Sequence, residues 1–261
     1  MNNFFLLNDS LNNLNYRVFI DGMSELVAIE KERDDIFIKC DSIYNLNNLQ
    51  ALFPNLDGFA EQAIYKFIEQ LKTLNVEIND ENTFDTLYPN LSNAFLGINF
   101  LHTSITSSKQ ITNDLSYKNF NLSTLWNVTF RNFWSRRVKL FPNLILCGEV
   151  EMQISRIGNS GYFNQIIQRL KEFNSAVNGW TQGVFNYTQI NANSSLRISP
   201  ESASTMSRYA NERRFSLPDG RTEEFELHIK AGNLRIHFFP DNQAKKIYIG
   251  YIGPHLSTVS N

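Results

Sequence analysis

Between Glu224 and Ile252, apolar side chains recur at every second position in three successive runs broken by short turns. Side chains alternate faces along a strand, so a sustained period of two admits consecutive sheet strands and little else. In Glu224 to Lys230, Phe225, Leu227 and Ile229 point one way, and Glu226, His228 and Lys230 the other. In Leu234 to Phe239, Leu234, Ile236 and Phe238 alternate with Arg235 and His237. Lys246 to Ile252 supplies a further strand that closes on Gly253-Pro254-His255. If Gly232-Asn233 is a two-residue turn, Ala231 opposes Leu234, Lys230 opposes Arg235, Ile229 opposes Ile236 and His228 opposes His237. Directly opposed side chains have Cβ atoms about 5 Å apart, so two imidazoles and two permanent cations share one patch. Crowding of like charge favours neutral imidazoles and calls for an arriving anion.

The rest of the chain reads less sharply. Tyr16 to Ile20, Ser24 to Ile29 and Ile36 to Tyr44 predict an antiparallel meander, with Asp21-Gly22 as one turn and the charged 30–35 segment as a hairpin tip. Phe59 to Leu74 predicts a helix on the stripe Phe59, Ala63, Ile64, Phe67, Ile68, Leu71 and Leu74, capped by Asp57. From Val76 to about Thr112 the signal is weak, and His102 stands alone there with a structural role expected. Leu125 to Lys139 interleaves Trp126, Phe130, Phe133 and Trp134 with Arg131, Arg136, Arg137 and Lys139. That pattern suits either an amphipathic helix with its rings in the core or base stacking with phosphate contacts. Leu144 to Cys147 predicts a strand, and Val150 to Ile157 and Phe163 to Val177 predict helices. The polar stretch from Thr181 to Arg208 predicts an extended connection. Arg213 to Leu217 then opens the sheet, with Pro218-Asp219-Gly220 as its first turn.

Charge divides the chain. Residues 1–120 carry eight basic and sixteen acidic side chains, whereas residues 121–261 carry sixteen basic and ten acidic. A net −8 against a net +6 predicts an acidic N-terminal domain over 1–120, suited to sensing or docking, and a basic domain over 121–261 able to meet a polyanion. Cys40 and Cys147 lie far apart without other ligands at metal spacing, which predicts reduced thiols in a cytoplasmic protein. Neither a targeting segment nor an apolar run of about 20 residues is visible, so no membrane partner is expected.

The chemistry best matched to the patch is metal-free phosphodiester cleavage: a base takes the 2′-hydroxyl proton, cations stabilise the phosphorane, and an acid protonates the leaving 5′-oxygen. No metal ligand set, phosphate-binding glycine loop or nucleophile elbow is recognisable, so neither metal nor cofactor is expected. A basic face that only binds an acidic partner is the competing reading.

The segment FELHIKAGNLRIHFFPDNQAKKIYIGYIGPHL resembles the C-terminal half of RelE/ParE-superfamily toxins, in which two helices precede an antiparallel sheet. Leu234-Arg235-Ile236 matches the arginine-bearing strand, His228 and Lys230 fall where basic catalytic residues occur, and Gly253-Pro254-His255 matches the terminal element. The resemblance implies an α+β chain: a mixed N-terminal domain, then a RelE-like domain with helices packed on a twisted antiparallel sheet. It implies an endoribonuclease of toxin–antitoxin or antiphage type, cutting mRNA on the ribosome, with an antitoxin or defence-system partner. Arg235 would stabilise the phosphate, Lys230 would support the charge, and His228 or His255 would act as base or acid. His237, Arg221, Lys245, Lys246, Tyr248, Arg136 and Arg137 would contact RNA. A C-terminal helix bearing a catalytic tyrosine has no counterpart, and Tyr248 or Tyr251 would substitute. The alternative within this resemblance is a non-catalytic ParE-like or structural protein-binding module.

Overall fold

The computed structural model describes residues 1–12, 14–54, 59–101, 103–147, 149–158 and 160–259. It is mixed α+β, and the chain separates into two compact units, Met1–Trp126 and Asn127–Asn261. The expected cap at Asp57 and the lone His102 lie outside the described residues, as does the side chain of Phe59.

The N-terminal unit is a parallel sheet clothed in helices rather than a meander. Its strands are β1 (Asn2–Leu6), β2 (Ile36–Cys40), β3 (Lys72–Leu74), β4 (Ser92–Leu96) and β5 (Gln110–Ile111), in the order β3-β2-β1-β4-β5. Every described pairing between them is parallel. Between and after them run α1 (Tyr16–Val27), α2 (Leu46–Leu52), α3 (Phe59–Glu69), α4 (Glu81–Leu87) and α5 (Asp114–Ser123). Alternate residues along β1 and into Leu7, just after it, face different cores. Phe4 and Leu6 pack with Phe19, Met23, Phe67 and Tyr117, while Phe5 and Leu7 pack with Ile78 and Phe84. Burial on both faces is the mark of a parallel sheet.

The expected strand at 16–20 lies within α1, and the one at 24–29 forms its last turn and the two residues after it. Phe19, Met23 and Leu26 are its buried residues, and their spacing of four and three is helical. Asn15 caps it by accepting the Val18 N–H. Gly22, read as a turn, sits mid-helix because a Cβ there would come within 2.3 Å of Ile98 Cγ2. The charged 30–35 segment links α1 to a parallel strand and is not a hairpin tip. The helix expected to reach Leu74 stops at Glu69, and its last residues become β3.

The C-terminal unit opens with α6 (Phe130–Leu140), β6 (Leu144–Leu146), α7 (Val150–Ile157) and α8 (Gly161–Val177). The stretch expected to be an extended connection instead holds α9 (Tyr187–Asn193), β7 (Ser199–Pro200) and α10 (Ala203–Tyr209). A 3₁₀ turn at Ala210–Arg213 leads to β8 (Arg214–Ser216), β9 (Thr222–Glu224), β10 (Leu227–Ala231), β11 (Leu234–Asp241) and β12 (Lys246–Pro254). The main sheet runs β6-β12-β11-β10-β7. It is not wholly antiparallel, because β6 lies parallel to β12. β10 and β11 pair in the register the Gly232-Asn233 turn predicts, His228 opposite His237 and Lys230 opposite Arg235.

One face of this sheet packs on α7 and α8; Phe173 and Phe238 meet there at 4.7 Å between ring centroids. Against the other face lie the β8–β9 hairpin and the loop that follows it, through Phe215 and Phe225. Phe225 therefore does not share a face with Leu227 and Ile229, as strict alternation had it; the strand breaks between β9 and β10. Gly250 permits this approach, since a Cβ would stand 2.7 Å from atoms of both Phe215 and Phe225. Gly250→Ala is expected to cost roughly 1–3 kcal/mol by overpacking. A wild-type midpoint in urea unfolding would show that the hairpin does not close on the sheet.

Candidate functional site

The polar residues of β10 and β11 do share one side of the sheet, but much of that side is covered. His237 is fully buried and His228 nearly so, at 0% and 7% exposure, while Lys230 and His255 are exposed and Arg235 is half-buried. The cover comes from the segment after α9. β7 pairs with β10, setting Ser199 opposite His228. The next two residues bring in Glu201, whose backbone N–H bonds to the Glu226 carbonyl.

Glu201 is the centre of the group. Its Oε1 accepts a 2.9 Å bond from Arg213 Nη2, an ion pair with side chains 0% and 5% exposed. The same oxygen lies 3.7 Å from His228 Nδ1 and 3.9 Å from His237 Nε2. Arg213 is also tied to the carbonyls of Tyr209 and Ser257 at 3.3 and 2.8 Å. His237 Nδ1 donates to the Phe225 carbonyl at 3.0 Å, which places its proton on Nδ1 and the lone pair of Nε2 towards Glu201. His228 Nε2 lies 3.2 Å from Ser199 Oγ. With that nitrogen donating, the lone pair of His228 Nδ1 also faces Glu201. Neither inward nitrogen has a hydrogen-bond partner.

Both imidazoles are neutral near pH 7. Burial lowers His228 to about 4; the Glu201 carboxylate opposes this, and Arg235, His255 and Lys230 reinforce it. Burial lowers His237 to about 3 against the bond to Phe225, and His228, Arg213 and His255 add to the fall. Buried neutral imidazoles beside a carboxylate are typical of functional sites.

Around this buried group lies an electropositive rim. Lys230 and Arg235 oppose each other across β10 and β11. Arg235 Nη1 bonds only the Leu234 carbonyl, its Nε is buried without a partner, and among the described residues no carboxylate pairs with either cation. His255 stands beside His228 with ring centroids 6.3 Å apart. The structure thus brings together His228, Lys230, Arg235, His237 and His255.

The other residues expected to touch RNA are engaged elsewhere. Arg221 is paired with Asp219, Glu223 and Asp241. Lys245 bonds the Gly183 carbonyl and lies over the Trp180 ring, and Lys246 bonds the Pro142 carbonyl. Tyr248 packs against the Cys147–Leu217–Phe225 cluster. On α6, Arg136 is buried and Arg137 stacks 4.0 Å over Trp134, so neither is an open phosphate ligand. Sequence reasoning missed Glu201 and Arg213, which sit in or beside segments without periodicity. Their signal was Glu201 itself, the one acidic side chain in the sequence between Glu172 and Glu212.

The class defined by fold and site is an α+β chain whose second unit carries a buried His–His–Glu–Arg group on a mixed sheet, rimmed by the cations Lys230 and Arg235. Comparison of the chain with protein-family models, curated proteins and solved structures finds no match in any of the three. No helix of the described residues is long and apolar enough to cross a membrane.

Proposed function

We propose that the C-terminal unit is a RelE-like endoribonuclease, acting on mRNA at the ribosome as a toxin or antiphage effector. The observation that carries this reading is the Lys230–Arg235 cross-strand pair, two cations beside a histidine cluster with no carboxylate paired to either among the described residues. Such an arrangement is stable mainly when an anion completes it, and a phosphodiester has the charge and size to do so. The order β6-α7-α8 followed by antiparallel β10-β11-β12 agrees with the RelE resemblance. In this reading Arg235 and Lys230 hold the phosphate. His255, exposed and next to His228, exchanges protons with the reacting oxygens. His228 is less suited to that task, because its two nitrogens face Ser199 and Glu201.

The N-terminal unit supplies the sensing role. A cleft of about 440 Å³ lies among the segments that follow β1, β2 and β3, lined by Asn8, Asp9, Asn12, Ser42, Asn48 and Asn79 among others. The carboxyl ends of parallel strands are where open α/β sheets bind ligands.

The test is induced expression with mapping of RNA 5′ ends. Arg235→Gln and Lys230→Gln are each expected to slow cleavage by roughly 100-fold or more, the usual loss when one donor to a developing oxyanion is removed. Growth arrest should ease in parallel. Undiminished toxicity in a folded Arg235→Gln protein would sink the reading.

A further inference from the structure

We infer that Glu201, His228 and His237 form a binding site for one divalent transition-metal ion of the zinc or iron(II) kind. The three side chains each offer one ligand atom, and these atoms all lie within 4.8 Å of one another. The two imidazole atoms concerned, His228 Nδ1 and His237 Nε2, are those left without a partner in the interior. Unpartnered buried lone pairs aimed at a carboxylate cost free energy unless a cation sits between them.

Geometry and donor chemistry both fit. Metal–nitrogen and metal–oxygen bonds of about 2.0–2.2 Å put adjacent ligands roughly 3–3.5 Å apart. The observed 3.7 and 3.9 Å between Glu201 Oε1 and the two imidazole nitrogens, and the nitrogens' own separation within 4.8 Å, leave a site slightly wider than a bound ion needs, which side-chain rotation inward would close. Two imidazoles and one carboxylate suit zinc or iron(II), whereas magnesium and calcium take oxygen ligands. The outer nitrogens are held as metal-binding histidines require. His237 Nδ1 is fixed by the Phe225 carbonyl and His228 Nε2 by Ser199 Oγ. Arg213 orients the carboxylate through Oε1. This departs from the metal-free cleavage expected of the sequence, and makes His228 a ligand.

Binding itself needs nothing from the proposed ribonuclease activity; only the ion's task, polarising a phosphoryl oxygen near Arg235 and Lys230, rests on that reading. The experiment is a titration of the full chain, stripped with chelator, with Co²⁺ followed by visible absorption and with Zn²⁺ by calorimetry. One equivalent of each ion is expected, with a cobalt spectrum of low-symmetry nitrogen and oxygen ligation. His237→Ala and Glu201→Gln should weaken binding beyond the roughly 10–100-fold that an outer partner is worth. Ser199→Ala tests an outer partner without removing a ligand, and is expected to bind about tenfold more weakly. His255→Gln, which removes an exposed imidazole, should bind as wild type. Folded wild-type protein that takes up neither ion would overturn the site, as would a His237→Ala variant that binds unchanged. The readout is binding, so a ribonuclease assay that fails leaves this result standing. A failure to bind metal equally leaves the cleavage test intact.

Discussion

Arg213→Met is expected to destabilise the C-terminal unit by roughly 3–5 kcal/mol, the cost of removing one partner from a buried ion pair. Arg213 is fully buried and Glu201 almost so, with 2.9 Å between Nη2 and Oε1. Methionine fills much of the same space but leaves the carboxylate facing two neutral imidazoles, with no other cation paired to it among the described residues. The guanidinium also closes the structure around it, holding the Tyr209 carbonyl and, from the chain's last residues, that of Ser257. For a unit of this size the loss corresponds to a drop of roughly 10–18 °C in melting temperature. Hydrogen exchange should place the loss in β10, β11 and the 199–213 segment, and leave β1, β2 and β4 protected as before. Glu201→Leu combined with Arg213→Met removes both charges and should recover a large part of the stability. An Arg213→Met protein within about 1 kcal/mol of wild type would mean that water reaches the pair.

How much of this was legible in the sequence follows from where the ordering information resides. The β10–β11 register was readable because a two-residue turn and strict alternation are local signals, and a one-residue slip would turn Ile229 and Ile236 out of the core. The N-terminal parallel sheet was not. Its central strands pair with partners about 30 to 90 residues away, for example Phe4 with Phe37 and Ala94, and even β4 and β5 pair across 15 residues. Fully buried parallel strands also lack the alternation that marks a half-exposed sheet. Asp21-Gly22 read as a turn because the reason for that glycine is Ile98, more than seventy positions further along. The histidines were correctly grouped on one side, yet the side was taken as open. What buries them is the 199–225 segment, and nothing local in its polar sequence says that it folds over the sheet. Glu201 was invisible for the same reason: its partners lie 12, 27 and 36 residues downstream.

Stability of the metal-free protein is expected to fall steeply between pH 6.5 and about pH 4, by an amount on the order of 3–4 kcal/mol by pH 5 beyond what exposed groups contribute. His228 and His237 are held neutral in the fold, at about 4 and about 3, against 6.5 in the unfolded chain. Below pH 6.5 the unfolded chain therefore takes up protons that the folded chain refuses, and each difference of one proton lowers stability by about 1.4 kcal/mol per pH unit. The contribution is complete above pH 6.5 and is lost progressively as pH falls towards the folded values. His237, fully enclosed, carries its full share; His228 is counted at less, because its edge approaches the exposed His255. The groups facing the pair act in both directions: Glu201 favours the protonated form of His228, and Arg213, Arg235, Lys230 and His255 oppose protonation. Burial outweighs the carboxylate, so the sign is set by desolvation. Urea midpoints measured from pH 7.5 to 4.5 on chelator-treated protein give the slope directly. A His228→Asn, His237→Gln double variant removes both titrations and should flatten the curve in that window, even if its stability at pH 7.5 is lower. An unchanged slope in the variant would place the acid sensitivity in other groups and show that the two imidazoles are not held neutral by the fold.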